Sequence, residues 1–242
     1  PASLCTAAME AQYTLTYFSH RSAARVDTTE LLFALGGVPL EYRRVDWSHF
    51  VTLRDTLPFG QLPVLTRADG CTLGQSKSKE QGHCFSLNNA AFRSIARFAA
   101  TLADLRPEDP WLACRADSLV ETFDDLGTVA WYLCEDEEMR RGAIANSIEK
   151  SKALRDLHPT PWLVGAEMTY ADVAFFAALN ELATLILTLE STDPLRAGDD
   201  TDTAVVDRLM GPKLTAVYRK VRDLPAVRKV LDEVWKSQLK FT

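Results

Sequence analysis

The hydrophobic pattern of this chain changes period as it is read from the N-terminus. "YTLTYF" (13–18) alternates apolar and polar positions, as a half-buried strand does. In "ARVDTTELLFAL" (24–35), Ala24, Thr28, Leu31 and Leu35 fall on one helical face, and Gly36-Gly37 with Pro39 ends the helix. "LEYRRVD" (40–46) alternates again, so the chain opens with a βαβ unit. "QLPVLTRADGCTLG" (61–74) reads as an antiparallel hairpin turning at Asp69-Gly70. A helix carrying Ile95, Phe98 and Leu102 closes this first unit, which is α/β with a mixed sheet.

Beyond Pro107 the pattern is helical throughout. "RPEDPW" (106–111) makes a linker and a helix start. The helix that follows carries the stripe Leu112, Ala116, Leu119, Phe123, Leu126, Ala130 and Leu133. On its opposite face, at 100° per residue, lie Glu121, Asp125, Thr128 and Tyr132. "TYADVAFFAALNELATLILTL" (169–189) is apolar nearly all round and is expected to run through the middle of a second, all-helical unit. Thr169, three residues before Asp172, forms a capping box closed by aspartate. "STDPLRAGDDTDT" (191–203) reads as a polar loop and "LPAVRKVLDEVW" (224–235) as a last amphipathic helix.

Composition narrows the class. At 242 residues, 47% hydrophobic and 25% charged, the chain has the makeup of an ordinary globular protein. A net charge of −6 argues against nucleic acid or an anionic membrane as partner. No unbroken apolar run reaches the roughly 18 residues of a membrane span. Residues 1–11 lack the features of a secretory signal and read as a short mobile tail. The five cysteines are scattered, odd in number and never spaced CxxC, the pattern of reduced thiols in a cytoplasmic protein. His83-Cys84 offers two adjacent metal donors without companions, and a surface dipeptide is the plainer reading.

"YTLTYF", "TLPFGQLPVL", "LGQS", "ETFDDL" and "WLVGAEMTYADV", in that order, resemble the cytosolic glutathione transferases, the sigma-like class in particular. The resemblance runs from about Tyr13 to the end of the chain, failing at residues 77–94 and partly at 191–210. It implies a thioredoxin-like α/β domain (12–105) followed by an all-α domain (111–242), the glutathione transferase fold, assembled as a cytoplasmic homodimer. Glutathione would be the co-substrate and a small hydrophobic electrophile the second substrate, for conjugation and detoxification or for isomerisation of a lipid peroxide.

Carried over residue by residue, Tyr17 holds the position of the catalytic tyrosine. Alone it would read as a strand aromatic packed in the core; among its neighbouring motifs it reads as a hydrogen-bond donor to the thiolate. A thiol of pKa near 8.5 is mostly protonated at neutral pH. Lowering it by two units takes about 2.7 kcal/mol of preferential stabilisation, within reach of one or two donors. Pro63 matches the family's cis-proline, leaving the Leu62 backbone to pair with the peptide beside Gln61. Gln75 and Ser76 match the pair that holds the γ-glutamyl carboxylate, and Asp125 the residue that reaches the γ-glutamyl amine bound to the other subunit. For the glycyl carboxylate, aligning backward from "TLPFG" selects Arg54, with Phe50 in the place of the usual tryptophan; aligning forward selects Trp47. Phe18, Trp131 and Tyr132 would border the electrophile pocket. Glu121, Asp124 and Asp125 resemble a carboxylate cluster that holds a divalent cation in some members, although an acidic run is usually a solvated helix face.

The sequence departs from the family in two places. The arginine expected a few residues after the tyrosine aligns with Ala23, flanked by Arg21 and Arg25. Removing Lys79–Ser94, 16 residues, joins "LGQSKS" to "IARFAATL" and restores the usual strand-to-helix passage. The apolar period Ala91, Ile95, Phe98, Leu102 predicts a helix starting near Asn88 or Asn89, with a polar loop at 77–87. That interruption keeps open a non-catalytic structural or ligand-carrying protein of the same fold, with impaired glutathione binding. A redox protein using its own cysteine is less favoured, because Tyr17 occupies the end of the first strand.

Overall fold

The computed structural model describes residues 12–18, 24–74, 89–124, 126, 136–190 and 201–235. Strand β1 (Tyr13–Phe18) leads to helix α1 (Ala24–Leu35) and strand β2 (Leu40–Val45), the expected βαβ unit. Helix α2 (Trp47–Leu53) and two 3₁₀ turns, Arg54–Thr56 and Pro58–Gly60, precede strands β3 (Val64–Arg67) and β4 (Thr72–Leu73). The sheet order is β2-β1-β3-β4, with β2 parallel to β1 and the other pairs antiparallel. Its ladders set Tyr17 beside Arg44, Leu15 between Tyr42 and Leu65, and Thr16 opposite Val64.

Helix α1 ends in a Schellman arrangement: Val38 N–H donates to Phe33 C=O and Gly37 N–H to Ala34 C=O. Gly37 takes φ +64°, the left-handed conformation that glycine adopts without penalty. The helix is buried well beyond the single face that the sequence predicted, Asp27, Thr28 and Thr29 included. The cause is its position, packed between the sheet, α3 and the long helix of the second unit.

Helix α3 (Asn89–Leu102) carries the predicted period, and the polar loop expected at 77–87 lies outside the described residues. Phe92, Ile95, Ala96, Ala99 and Ala100 are its buried residues, while Phe98 packs edge-on against Tyr13 at 5.5 Å. Helix α4 (Pro110–Asp124) begins at Asp109, whose carboxylate accepts from Leu112 N–H at 2.8 Å. The α4 stripe differs from the expected one. Ala113, Ala116, Val120 and Phe123 are buried, whereas Leu112 and Leu119 are only partly covered. Two alanines on the inner face let the α4 backbone approach its neighbour closely, and the larger leucines flank the seam.

Among the described residues the second unit continues with helices α5 (Glu137–Ser151), α6 (Tyr170–Glu190), α7 (Thr201–Met210), α8 (Pro212–Arg222) and α9 (Pro225–Lys229), and Val230–Trp235 continues α9 as a π-helix. The polar loop was expected to extend to residue 203, but α7 already begins at Thr201, and Asp202 and Thr203 are buried. Helix α6 is the central element, buried on nearly every side. Its window Tyr170–Leu187 is long and apolar enough to cross a membrane, and 89% of that window is buried inside the protein. Asp172 anchors its start: the carboxylate accepts from Thr169 N–H (2.8 Å), Leu163 N–H (2.9 Å) and Thr169 Oγ1 (3.1 Å). The fold is thus a small mixed four-stranded sheet with its helices, followed by a helical domain.

Candidate active site

The site is built at the end of β1, where strand alternation turns Tyr17 and Phe18 to opposite faces of the sheet. Tyr17 is 1% exposed. Phe18 stacks on Trp47 (centroids 6.1 Å, 20°) and meets Phe50 edge-on at 5.1 Å. Trp47 opens α2 because Asp46 caps the helix: its carboxylate accepts from His49 N–H and Ser48 Oγ, both at 2.7 Å. Those hydrogen bonds, the His49 N–H first, hold the Asp46 carboxyl below the usual aspartate range. Of the two aromatics competing for one role, Phe50 is buried in the core and Trp47 is 48% exposed. Trp47 is therefore the one with surface to offer a ligand.

The Leu62-Pro63 peptide bond is cis, as the motif implied. Thr16 faces Val64, the first residue of β3, where the antiparallel ladder ends, so the cis bond immediately precedes the strand that pairs with β1. The Leu62 side chain is buried. Arg54 reaches this loop from the other side. A Cβ placed on Gly60 would stand 3.3 Å from Arg54 Cγ and 3.6 Å from its Nε, so the arginine stem lies along the backbone leading into Gln61. Gly74, just past β4, lies against the same loop: its Cβ would stand 3.2 Å from Pro58 Cβ. Tyr17, Phe18, Trp47, Arg54, Gln61, Leu62 and Pro63 are therefore gathered at one end of the sheet.

The remaining sequence candidates are placed differently. Gln75, Ser76, Asp125, Trp131 and Tyr132 lie outside the described residues, as do Arg21, Ala23, His83 and Cys84. Glu121 is engaged by Arg93 of α3 at 3.3 Å, which spends its charge on a helix–helix contact. Among the described residues no group of three or more His, Cys, Asp or Glu side chains is arranged to hold a metal ion. Cys71 and Cys114 are free and exposed.

Two features escaped the sequence reading. Asp117 of α4 accepts from Arg97 Nε at 2.8 Å and from the Tyr170 hydroxyl, joining α3, α4 and α6. On β2, the Arg44 guanidinium lies 4.0 Å over the Tyr42 ring, next to Tyr17. The alternation of "LEYRRVD" put Tyr42 and Arg44 on one face; strand register alone says that the face is shared with Tyr17.

A relative named glutathione S-transferase 4, from Caenorhabditis elegans, is 33% identical over 89% of this chain and 93% of its own length. The chain belongs to the glutathione S-transferase family. Residues 135–233 of this transferase also match the family model described as "Glutathione S-transferase, C-terminal domain". Human hematopoietic prostaglandin D synthase is 26% identical, with 89% of this chain and 92% of that protein covered. In fold, the transferase resembles rat hematopoietic prostaglandin D synthase in complex with a quinoline, at a TM-score of 0.66 and 23% identity over 90% of this chain and 95% of that one. A prostaglandin D synthase from Nilaparvata lugens gives a TM-score of 0.66 at 20% identity, covering 92% and 98%.

Proposed function

We propose that this transferase activates the thiol of glutathione through a hydrogen bond from Tyr17 and adds it to a small hydrophobic electrophile. The observation that carries this reading is the convergence of the Tyr17 end of β1 with the cis Leu62-Pro63 bond and the Arg54 stem. A cis X-Pro bond leaves the preceding backbone groups pointing sideways, so Leu62 pairs with the cysteinyl backbone of the tripeptide as an added strand would. Gln61 sits beside Leu62; Arg54 and Trp47 take the glycyl end, Gln75 and Ser76 the γ-glutamyl carboxylate, and Asp125 the amine bound to the partner subunit. Phe18, Trp131 and Tyr132 flank the electrophile. Holding the two reactants together supplies much of the remaining acceleration. On this reading the protein is a cytoplasmic homodimer of the sigma-like class acting in detoxification. The activity named for the prostaglandin D synthase relatives is the isomerisation to test first.

The experiment is a pH titration of the ultraviolet thiolate band of glutathione bound to the full chain. The band is expected near neutral pH and is expected to move to higher pH in Tyr17→Phe. Its absence in the wild type, or its survival unchanged in Tyr17→Phe, refutes the mechanism.

A second reading has its support in the sequence: the apolar period of α3 places its start near Asn88 or Asn89, some 12 or 13 residues after Ser76 by numbering, instead of at Ser76 as in the family. A helix N-terminus favours a bound carboxylate. We infer that residues 79–94 interrupt the γ-glutamyl corner and weaken glutathione binding, in the limit leaving a structural or ligand-carrying protein. A version lacking Lys79–Ser94 is expected to bind glutathione more tightly than the full chain. Equal affinity of the two would remove this second reading.

A further inference from the structure

Tyr17 belongs to a polar cluster enclosed between β1, β2 and α1. Parallel register makes Arg44 the neighbour of Tyr17 and Tyr42 the neighbour of Leu15, so Tyr17, Tyr42 and Arg44 share one face of the sheet. The Arg44 guanidinium lies 4.0 Å above the Tyr42 ring. From α1, the Asp27 and Glu30 carboxylates act on the Tyr42 phenol: Asp27 is 7% exposed, and Glu30 Oε2 accepts from Trp235 Nε1 at 3.0 Å. The Tyr42 phenol records the balance of the cluster. Burial raises its pKa most, Asp27, Glu30 and Tyr17 raise it further, and Arg44 opposes them. The Arg44 guanidinium, at the strand position paired with Tyr17, is the cation that opposes those carboxylates at Tyr42.

We propose that Arg44 is the positioning residue for Tyr17: stacked on Tyr42, it offsets Asp27 and Glu30 and allows the Tyr17 hydroxyl to stabilise a thiolate. This rests on the reading of Tyr17 as the thiol-activating group. It assigns to β2 the cation that the family resemblance expects just after β1, where this chain has Ala23. The cation–π stack fixes the guanidinium, so its charge stays at one distance from the phenol instead of sweeping through solvent. At separations of one to two strand spacings in a partly buried setting, one charge changes a neighbouring ionisation equilibrium by roughly three- to tenfold.

The test uses the full chain and the thiolate band of bound glutathione, read with kcat and KM for an aryl halide. Arg44→Gln is expected to lower the thiolate fraction at neutral pH by about three- to tenfold, lower kcat by a similar factor and move the glutathione KM less than about twofold. Arg44→Lys, which keeps the charge, is expected to recover most of the thiolate. In a Tyr17→Phe background Arg44→Gln is expected to add nothing. Asp27→Asn carries the opposite sign, raising the thiolate fraction, and serves if Arg44→Gln does not fold. An unmoved titration in folded Arg44→Gln overturns the proposal, as does an Arg44→Lys variant no better than Arg44→Gln; where Arg44→Gln does not fold, an unmoved titration in Asp27→Asn overturns it. If Tyr17→Phe shifts the band and Arg44→Gln does not, Arg44 alone loses its role. If Tyr17→Phe leaves the band in place, the reading beneath it fails as well.

Discussion

Replacing Asp172 with alanine tests the argument about the helical domain most severely. The residue is 0% exposed, and its carboxylate accepts from two backbone N–H groups, of Leu163 and Thr169, and from the Thr169 hydroxyl. Alanine leaves those donors buried. A hydrogen bond to a charged acceptor contributes about 1.5–3 kcal/mol, and an orphaned buried donor costs about 1–3 kcal/mol. Three bonds would sum to well over 5 kcal/mol, but the carboxylate is itself held in an unfavourable place. Burial, the largest influence on it, raises its pKa in spite of the hydrogen bonds. Removing that strain returns part of the loss, and the expected net destabilisation is about 2–4 kcal/mol. With a urea m-value of about 3 kcal/mol/M, that moves the unfolding midpoint down by about 1 M at fixed protein concentration. The pH dependence has a definite sign. A carboxyl whose folded pKa lies above its unfolded one keeps more protons in the native state. Its contribution to stability is therefore full at low pH and declines as pH rises from the unfolded value through the folded one. The wild-type advantage over Asp172→Asn should accordingly be larger near pH 4 than at pH 7. A midpoint shift below about 0.3 M for Asp172→Ala, or an advantage that grows with pH, would refute the reasoning.

Other substitutions probe the site and its supports. Gly60→Ala forces a side chain onto φ +65° and against Arg54; it should cost about 1 kcal/mol in stability and raise the glutathione KM, with little further effect when combined with Arg54→Ala. Asp117→Asn breaks the ion pair with Arg97, and because that pair is partly solvated the loss by chemical denaturation should be about 1–2 kcal/mol. Trp235→Phe keeps the packing but removes the hydrogen bond to Glu30, which should cost about 1 kcal/mol and appear in the same measurement.

The elements most legible from sequence were those whose cause is local. The strands read at 13–18 and 40–46, the Gly36-Gly37 stop and the Thr169–Asp172 box each depend on residues a few positions apart, and each holds. Strand β1, however, is paired on both sides and buries Leu15, Thr16 and Tyr17 in succession instead of alternating. The cis bond at Leu62-Pro63 also holds, because a short motif specifies it. What the sequence left hidden depends on partners distant in the chain. Whether α4 buries Leu112 or Ala113 is decided by how closely α6 approaches, which no period within α4 encodes. Asp202 and Thr203 looked like loop because they are polar, yet Arg222 from α8 meets Thr203 and allows it to be buried. The part of the site contributed by β2 was missed for the same reason: Arg44 becomes a neighbour of Tyr17 through a strand register, not through spacing.

The hydrogen bond from Trp235 to Glu30 spans 205 positions of sequence. During synthesis the segment bearing Tyr17 and α1 leaves the ribosome well before Trp235, the residue that seals the far side of α1. Until then α1, which packs against α6 and α9, would present its apolar residues to solvent. The α/β unit is thus an unfinished surface during translation, closed only when residues some two hundred positions further on have been made. A transcript truncated shortly before the codon for Trp235 should yield a chaperone-bound or degraded product instead of a weakened enzyme.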